Sequence, residues 1–361
     1  MDRRSFLKNT ALGGSAAAAT TLAAPAYAQG NRTLTMVTSV PEGFAIFDDA
    51  ATMAANAITE MTDGKLTINK MPAGSLVGAF EVFDAVSAGQ ADLYHSAEYY
   101  FLNQHPAFAF YTSVPFGMTG IEMLAWYYHK GGKEQHHELA SLFNLKPFLC
   151  GNTAMQPGGW FNTEINSVED LQGLRFRMPG QGGQVLGVLG ASVQNIPGGE
   201  IYQALSSGQI DGAEWIGPFA DERMGFQEVT NIYYTSGFHE PGSALALSMN
   251  LEVWDSLTPS QQKAVEVACE ATHANNLGMS WAENGAALAR LQSAGVQVRE
   301  FPDEVWDAFG RGAAEVREAN MSDPIYKDIA DSYFAAQAEI SAWFSIGDGE
   351  FIRQRNRVNA G

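Results

Sequence analysis

Cysteine is scarce. The 361 residues hold two, Cys150 and Cys269, which leaves no disulfide framework and no cysteine-based metal cluster. An exported chain could bridge the pair or keep two buried thiols, and both remain open at the level of sequence. Basic residues are few as well, 21 against 40 acidic, for a formal charge of −19. A polyanion is repelled by such a surface, so nucleic acid is excluded as a partner class. Beyond residue 28 no stretch is long and apolar enough to span a bilayer. Catalytic signatures are missing too. Gly180-Gln181-Gly182 would need a third glycine where Val185 stands, so it is no dinucleotide fingerprint. His136-His137-Glu138 lacks the second histidine one turn on, the position being Ser141, and it reads as solvated helix surface rather than a zinc site. Neither a nucleophile elbow nor a phosphate-binding Walker loop is found.

What is present begins with an export signal. Arg3 and Arg4 precede a weakly apolar run from Thr10 to Leu22 and a small-residue exit at Ala26-Tyr27-Ala28, a pattern of targeting rather than of folded structure. Asp2-Arg3-Arg4-Ser5-Phe6-Leu7-Lys8 resembles a twin-arginine signal, the route that carries proteins already folded. Cleavage after Ala28 leaves 18 basic and 39 acidic residues, a formal charge of −21. The remaining ~330 residues exceed what one hydrophobic core usually serves, so two lobes are expected.

Thr33 to Val40 reads as a strand, and Phe47, Ala51, Ala54, Ile58 and Met61 follow at near-helical spacing until Thr62-Asp63-Gly64 stops them. Lys65 to Met71 resumes a period of two. This β-α-β opening places the chain in the α/β class and predicts a parallel sheet.

An internal echo is the most informative feature. Ala85-Val86-Ser87-Ala88-Gly89-Gln90-Ala91-Asp92 returns in form as Ala204-Leu205-Ser206-Ser207-Gly208-Gln209-Ile210-Asp211. Each copy ends a helix on a glycine suited to a left-handed conformation and turns into a strand. Beyond the strands lie Tyr94, His95, Tyr99 and Tyr100 in one copy and Glu214 and Trp215 in the other. Ligands of open α/β sheets lie outside the carboxyl ends of strands, so these groups are candidates to face one another across a cleft. A further junction, Gly173-Leu174-Arg175-Phe176-Arg177-Met178-Pro179-Gly180, sets Arg175 and Arg177 on one strand face. Alternation alone does not choose between them. Arg177 is nearer the following helix N-terminus, whose free N–H groups favour an anion, and is the better carboxylate clamp. Residues 303–344 read as largely helical, broken near Ser322-Asp323-Pro324, with Trp306, Phe309, Tyr326, Tyr333, Phe334 and Trp343 available for burial.

Pro197-Gly198-Gly199-Glu200-Ile201-Tyr202-Gln203-Ala204-Leu205, running on through Gly208 to Asp211-Gly212-Ala213-Glu214-Trp215, resembles the signature of solute-binding proteins of TRAP transporters. The strand from Leu171 to Pro179 is similar to theirs, and the likeness runs roughly from Leu34 to Phe344. Met155-Gln156-Pro157-Gly158-Gly159-Trp160-Phe161, Ala213-Glu214-Trp215-Ile216-Gly217-Pro218 and His239-Glu240-Pro241-Gly242 are most similar to the branch that binds 2-oxo acids or lactate with a metal cation.

The resemblance implies a periplasmic-binding-protein-like fold with a cleft between two lobes, long C-terminal helices and no organic cofactor. The expected boundaries are a signal at 1–28, the first lobe at 29–150, the second at 151–240, a return to the first at 241–302, and at 303–361 a helical region that braces the lobes or dimerises. It implies that Arg177 holds the ligand carboxylate while Gln156, Glu214, the Trp215 main chain and Glu240 surround a cation; Gln156, Trp215 and Glu240 also count as substrate-binding, with Tyr99 and Tyr100 offering hydroxyls from the other lobe. Oxygen ligands suit calcium or sodium. Two glutamates and the acid against one arginine leave −2, which favours calcium. The expected partners are a small organic acid, TRAP-type permease subunits in the membrane and, through the C-terminal helix, a second copy. A periplasmic binding protein without enzymatic activity is therefore expected. The rival expectations are an exported metal-dependent enzyme acting on a small carboxylic acid, and a binder that docks on a sensor.

Overall fold

The computed structural model describes residues 31–359, so the signal reading at 1–28 lies outside it. Strands β1 (Arg32–Thr38), β2 (Leu66–Met71), β3 (Leu93–Ser96), β4 (Leu145–Asn152) and β10 (Ala244–Asn250) form a five-stranded sheet in the order β2-β1-β3-β10-β4. Strands β5 (Gly159–Phe161), β6 (Arg175–Arg177), β7 (Ser192–Gln194), β8 (Gly212–Ala213), β9 (Ile232–Tyr234) and β11 (Gln297–Arg299) form a second sheet in the order β11-β9-β5-β8-β6-β7. These are the two lobes of an α/β fold. The β1-β2 and β1-β3 pairs are parallel, as the β-α-β opening predicts, but β10 runs antiparallel to both β3 and β4. The reason is topological. β10 re-enters from the other lobe instead of crossing over within its own sheet.

The first lobe is closed on one face by Leu34, Met36, Ile58, Leu93, Leu247 and Val265, with Cys150 and Cys269 both buried and unbridged among them. The core on its other face continues into the second lobe through Tyr94, Phe101 and Tyr111 to Ile201, Leu205 and Trp215. A separate cluster around Phe161, Phe176, Tyr234, Phe301 and Phe309 fills the far side of the second lobe. The helix Pro259–Ser293, about 50 Å long at 1.5 Å per residue, packs on β4 and the helix Phe47–Met61 at one end and on the helix Pro218–Met224 at the other. It carries the chain from lobe to lobe. Hence β11 departs from the predicted return of 241–302 to the first lobe: Gln297–Arg299 pairs with β9 of the second.

The helix Asp303–Asn320 packs on the second lobe and Pro324–Phe344 on the first, separated by the predicted break, where the Asp323 carboxylate accepts from Tyr326 N–H at 2.8 Å. Trp306 lines the second-lobe core and Tyr326 and Tyr333 are buried, whereas Trp343, which the sequence offers for burial, is exposed. His136 corrects the expectation of a solvated surface. It is buried, its Nε2 lies 2.5 Å from Glu98 Oε2, its Nδ1 3.2 Å from the Tyr127 hydroxyl, and its ring stacks on Tyr111. A carboxylate 38 residues away satisfies it, and helix periodicity contains no trace of that partner. Among the described residues no helix is long and apolar enough to cross a membrane.

Candidate functional site

The two echoed units build the same corner. Gly89 and Gly208 take φ of +74° and +72°. Gln90 N–H then donates to Ala85 C=O at 2.7 Å, and Gln209 N–H to Ala204 C=O at 3.0 Å. The aspartate that closes each unit accepts from a neighbouring strand, Asp92 from Thr35 N–H at 2.7 Å and Asp211 from Arg175 N–H at 3.0 Å. β3 therefore delivers Tyr99 and Tyr100 just past its end, and β8 delivers Glu214 and Trp215. Gln156 and Glu240 come from the two segments that cross between lobes. These segments bond to each other through Thr153 N–H to Ser243 C=O at 3.0 Å, Gln156 N–H to Glu240 C=O at 3.0 Å and Gly237 N–H to Gln156 C=O at 2.8 Å.

The structure separates the two arginines of β6. Arg175 is exposed and held by Asp211 and the Gly208 carbonyl. Arg177 is 1 % exposed. Its Nε donates to Ile196 C=O at 3.0 Å, and its Nη1 to Glu214 C=O at 3.1 Å and to the Glu214 carboxylate. Its Nη2 is buried without a partner. Burial opposes the guanidinium charge, yet the Glu214 carboxylate outweighs it and holds the group above its ordinary value. One arm of a charge-assisted fork is thus in use and the other is free for a planar anion.

Opposite it, Glu214, His239 and Glu240 each bring a ligand atom to within 4.8 Å of the others, and all three are buried. Burial and then Asp221 push the Glu214 carboxyl up to about 7 against the pull of Arg177. Burial and then Glu214 push Glu240 up to about 7 as well. His239 is driven down to about 4 by burial, so at neutral pH its contact with Glu214 at 3.6 Å is no ion pair. Glu240 accepts from Ser243 and, at 3.4 Å, from the Tyr99 hydroxyl. Burial and the Glu240 charge keep that hydroxyl protonated. Gln156 donates through Nε2 to Thr153 at 3.0 Å, which leaves Oε1 free. Glu214 Oε2 is free too. Two crowded carboxylates and two orphaned oxygens, offset by one arginine, fit a hard cation.

Trp215 is fixed from three sides. Arg177 Cζ stands 5.5 Å from its ring, Phe44 of the first lobe meets it edge-on at 6.0 Å, and a Cβ at Gly198 would come within 2.2 Å of it. Tyr100 packs on Tyr99 at 5.0 Å. The sequence-predicted residues Arg177, Gln156, Glu214, Trp215, Glu240, Tyr99 and Tyr100 thus meet at one seam between the lobes. His239 is the member of the cluster that sequence reasoning does not supply, although it adjoins Glu240 in the His239-Glu240-Pro241-Gly242 motif.

The sequence profile of the bacterial extracellular solute-binding proteins, family 7, matches residues 36–322. The chain belongs to this family, the solute-binding proteins of TRAP transporters. It is 39 % identical over 314 residues, 87 % of this chain and 86 % of the relative, to a monocarboxylate 2-oxoacid-binding periplasmic protein of Nostoc sp.. Among solved structures it is similar to a TRAP periplasmic solute-binding protein of Colwellia psychrerythraea with bound calcium and pyruvate, at 38 % identity, a TM-score of 0.87 and coverage of 90 % and 99 % of the two chains. A counterpart from Pseudoalteromonas atlantica with bound sodium and pyruvate matches at 37 % identity, with the same TM-score and coverage. The family places the protein outside the cytoplasm as a transporter's binding component.

Proposed function

We propose that this TRAP solute-binding protein captures a small 2-oxo or 2-hydroxy monocarboxylate of the pyruvate, 2-oxobutyrate or lactate kind together with a cation. The observation that carries the reading is the unpartnered Nη2 of buried Arg177 facing the Glu214, His239 and Glu240 cluster. Arg177 offers the acid a charge-assisted hydrogen bond worth about 1.5 to 3 kcal/mol. Trp215 and Phe44 exclude water from it, and the Tyr99 and Tyr100 hydroxyls act as donors from the first lobe. Gln156, Glu214, the Trp215 main chain and Glu240 would hold a calcium or sodium ion, which when bound supplies charge neutralisation and chelation of the carboxylate and its adjacent oxygen. His239 adds a neutral nitrogen to that set. With two glutamates and the acid against Arg177, a divalent ion brings the group to zero and sodium leaves −1. The relatives that carry pyruvate with either ion support this reading.

In the same proposal the lobes close on the acid by hinge motion about the crossing segments 153–158 and 235–243, and the closed form docks on a membrane permease. The expected boundary at 150 lies just before the first of these segments, and the one at 240 lies within the second. No covalent step is involved. Export to the periplasm follows the twin-arginine route. A second copy pairs through the C-terminal helix, whose Trp343, Ile346, Phe351 and Val358 are all exposed.

The test is calorimetric titration of the mature chain, stripped of ligand and metal, with pyruvate, 2-oxobutyrate, lactate, succinate and a sugar, each with and without calcium or sodium. Tight, cation-dependent binding of a monocarboxylate, returned unchanged after long incubation, is expected. Binding of a dicarboxylate or a sugar alone would remove the proposed site, and turnover would replace binding protein by enzyme. Light scattering on the same sample should return twice the chain mass.

A further inference from the structure

Asp221 touches none of the residues placed at the cation. It lies in the helix Pro218–Met224, fully buried, directly behind the turn that carries Glu214 and Trp215. Its Oδ1 accepts from Ile216 N–H at 3.1 Å and Gly217 N–H at 2.9 Å. Its Oδ2 accepts from Trp160 Nε1 at 2.9 Å and from the Tyr233 hydroxyl at 3.0 Å. Trp160 and Tyr233 face each other across the β5-β9 pair. All four partners act as donors, which suits an ionised carboxylate and leaves a protonated acid one hydrogen too many. Burial pushes the group up to about 6 against these four bonds, which still leaves it charged at neutral pH.

No basic side chain neutralises it. The nearby Arg290 is paired with Glu222, and Arg223 lies over the Phe219 ring and donates to its carbonyl. Asp221 forms no ion pair among the described residues. A full negative charge therefore sits in the low-dielectric interior, bonded to the N–H groups of Ile216 and Gly217, the two residues that directly follow Glu214 and Trp215. Hydrogen bonding alone would explain a positioning role. The missing counter-charge needs a further account.

We propose that Asp221 determines cation specificity: its unneutralised charge, held behind the Ile216-Gly217 turn, biases the site toward a divalent over a monovalent ion. The inference rests on the cation-dependent reading above. Coulomb attraction scales with the charge of the ion, so removing Asp221's charge costs a divalent ion twice the free energy it costs a monovalent one. An n-fold loss for sodium becomes an n-squared loss for calcium. A role in shaping the turn would instead weaken both ions by a common factor, since they share their ligands.

Asp221→Asn is the first variant. Its amide NH2 faces donors on either side, so Trp160→Phe/Asp221→Asn is the second, with the NH2 directed at the Tyr233 hydroxyl, which can turn to accept. Calcium chloride and sodium chloride are titrated calorimetrically into each stripped protein at fixed pyruvate, with choline chloride holding ionic strength constant. Losses of roughly 5-fold for sodium and roughly 25-fold for calcium are expected in at least one variant. Equal losses for the two ions, or unchanged affinities, overturn the proposal. If the wild-type chain binds neither ion, the reading of the site itself has failed and the role of Asp221 falls with it.

Discussion

The corner at 85–92 and the corner at 204–211 share a backbone and differ in what they deliver. Both turn on a left-handed glycine, both repeat the bond from the residue after it to the helix, and both close on an aspartate that accepts from the adjacent strand. Past the first corner stand hydroxyl-bearing aromatics, Tyr99 and Tyr100; past the second stand a carboxylate and an indole, Glu214 and Trp215, beside Arg177. The scaffold is thus duplicated and the chemistry is not. In the proposed mode of binding, one lobe supplies the charges that fix the acid, and the other closes over them with neutral donors. A division of this kind allows the open protein to select its ligand on one lobe and leaves the second to report that it is filled.

The hardest way to break this asymmetry is to remove Arg177. Arg177→Ala should weaken pyruvate binding in the presence of calcium by about 3 to 5 kcal/mol, more than a hundredfold in Kd. The fold should survive, because the Glu214 carboxyl, already pushed up to about 7, takes a proton once its partner is gone. Circular dichroism checks the fold and calorimetry the affinity. A Kd within threefold of the wild type would place the acid elsewhere.

The shared part of the comparison is sharpened by a paired substitution. Gly89 and Gly208 have almost nothing within 4 Å of where a Cβ would stand, so Gly89→Ala and Gly208→Ala are penalised by backbone conformation alone. Each should lose about 1 kcal/mol in urea denaturation. A difference larger than that between them would show that the two corners are not one device.

The corners were legible in the sequence because a helix end, a glycine and a strand are written within eight residues. The choice of Arg177 over Arg175 also followed from local position, next to a helix N-terminus. What escaped reading is what two distant segments make jointly. His239, on a crossing segment, meets Glu214, which stands past β8. Asp221 is one of 40 acidic residues until Trp160 and Tyr233 converge on it. His136 is an ordinary helix residue until Glu98 lies against it, and β11 changes lobe because a 35-residue helix takes it there. Periodicity encodes which face is buried, but not which charge waits on the other side.

The smallest effect belongs to the first lobe. The Tyr99 hydroxyl reaches Glu240 at 3.4 Å, long for a hydrogen bond to a carboxylate and therefore weak. Tyr99→Phe keeps the ring and its packing on Tyr100, so it should cost no more than about 1 kcal/mol, a few-fold in Kd for pyruvate with calcium. Measured under the same conditions as Arg177→Ala, the two variants should differ by at least tenfold. If Tyr99→Phe instead cost as much, the first lobe would share the work of holding the acid, and closure would be part of recognition rather than its consequence.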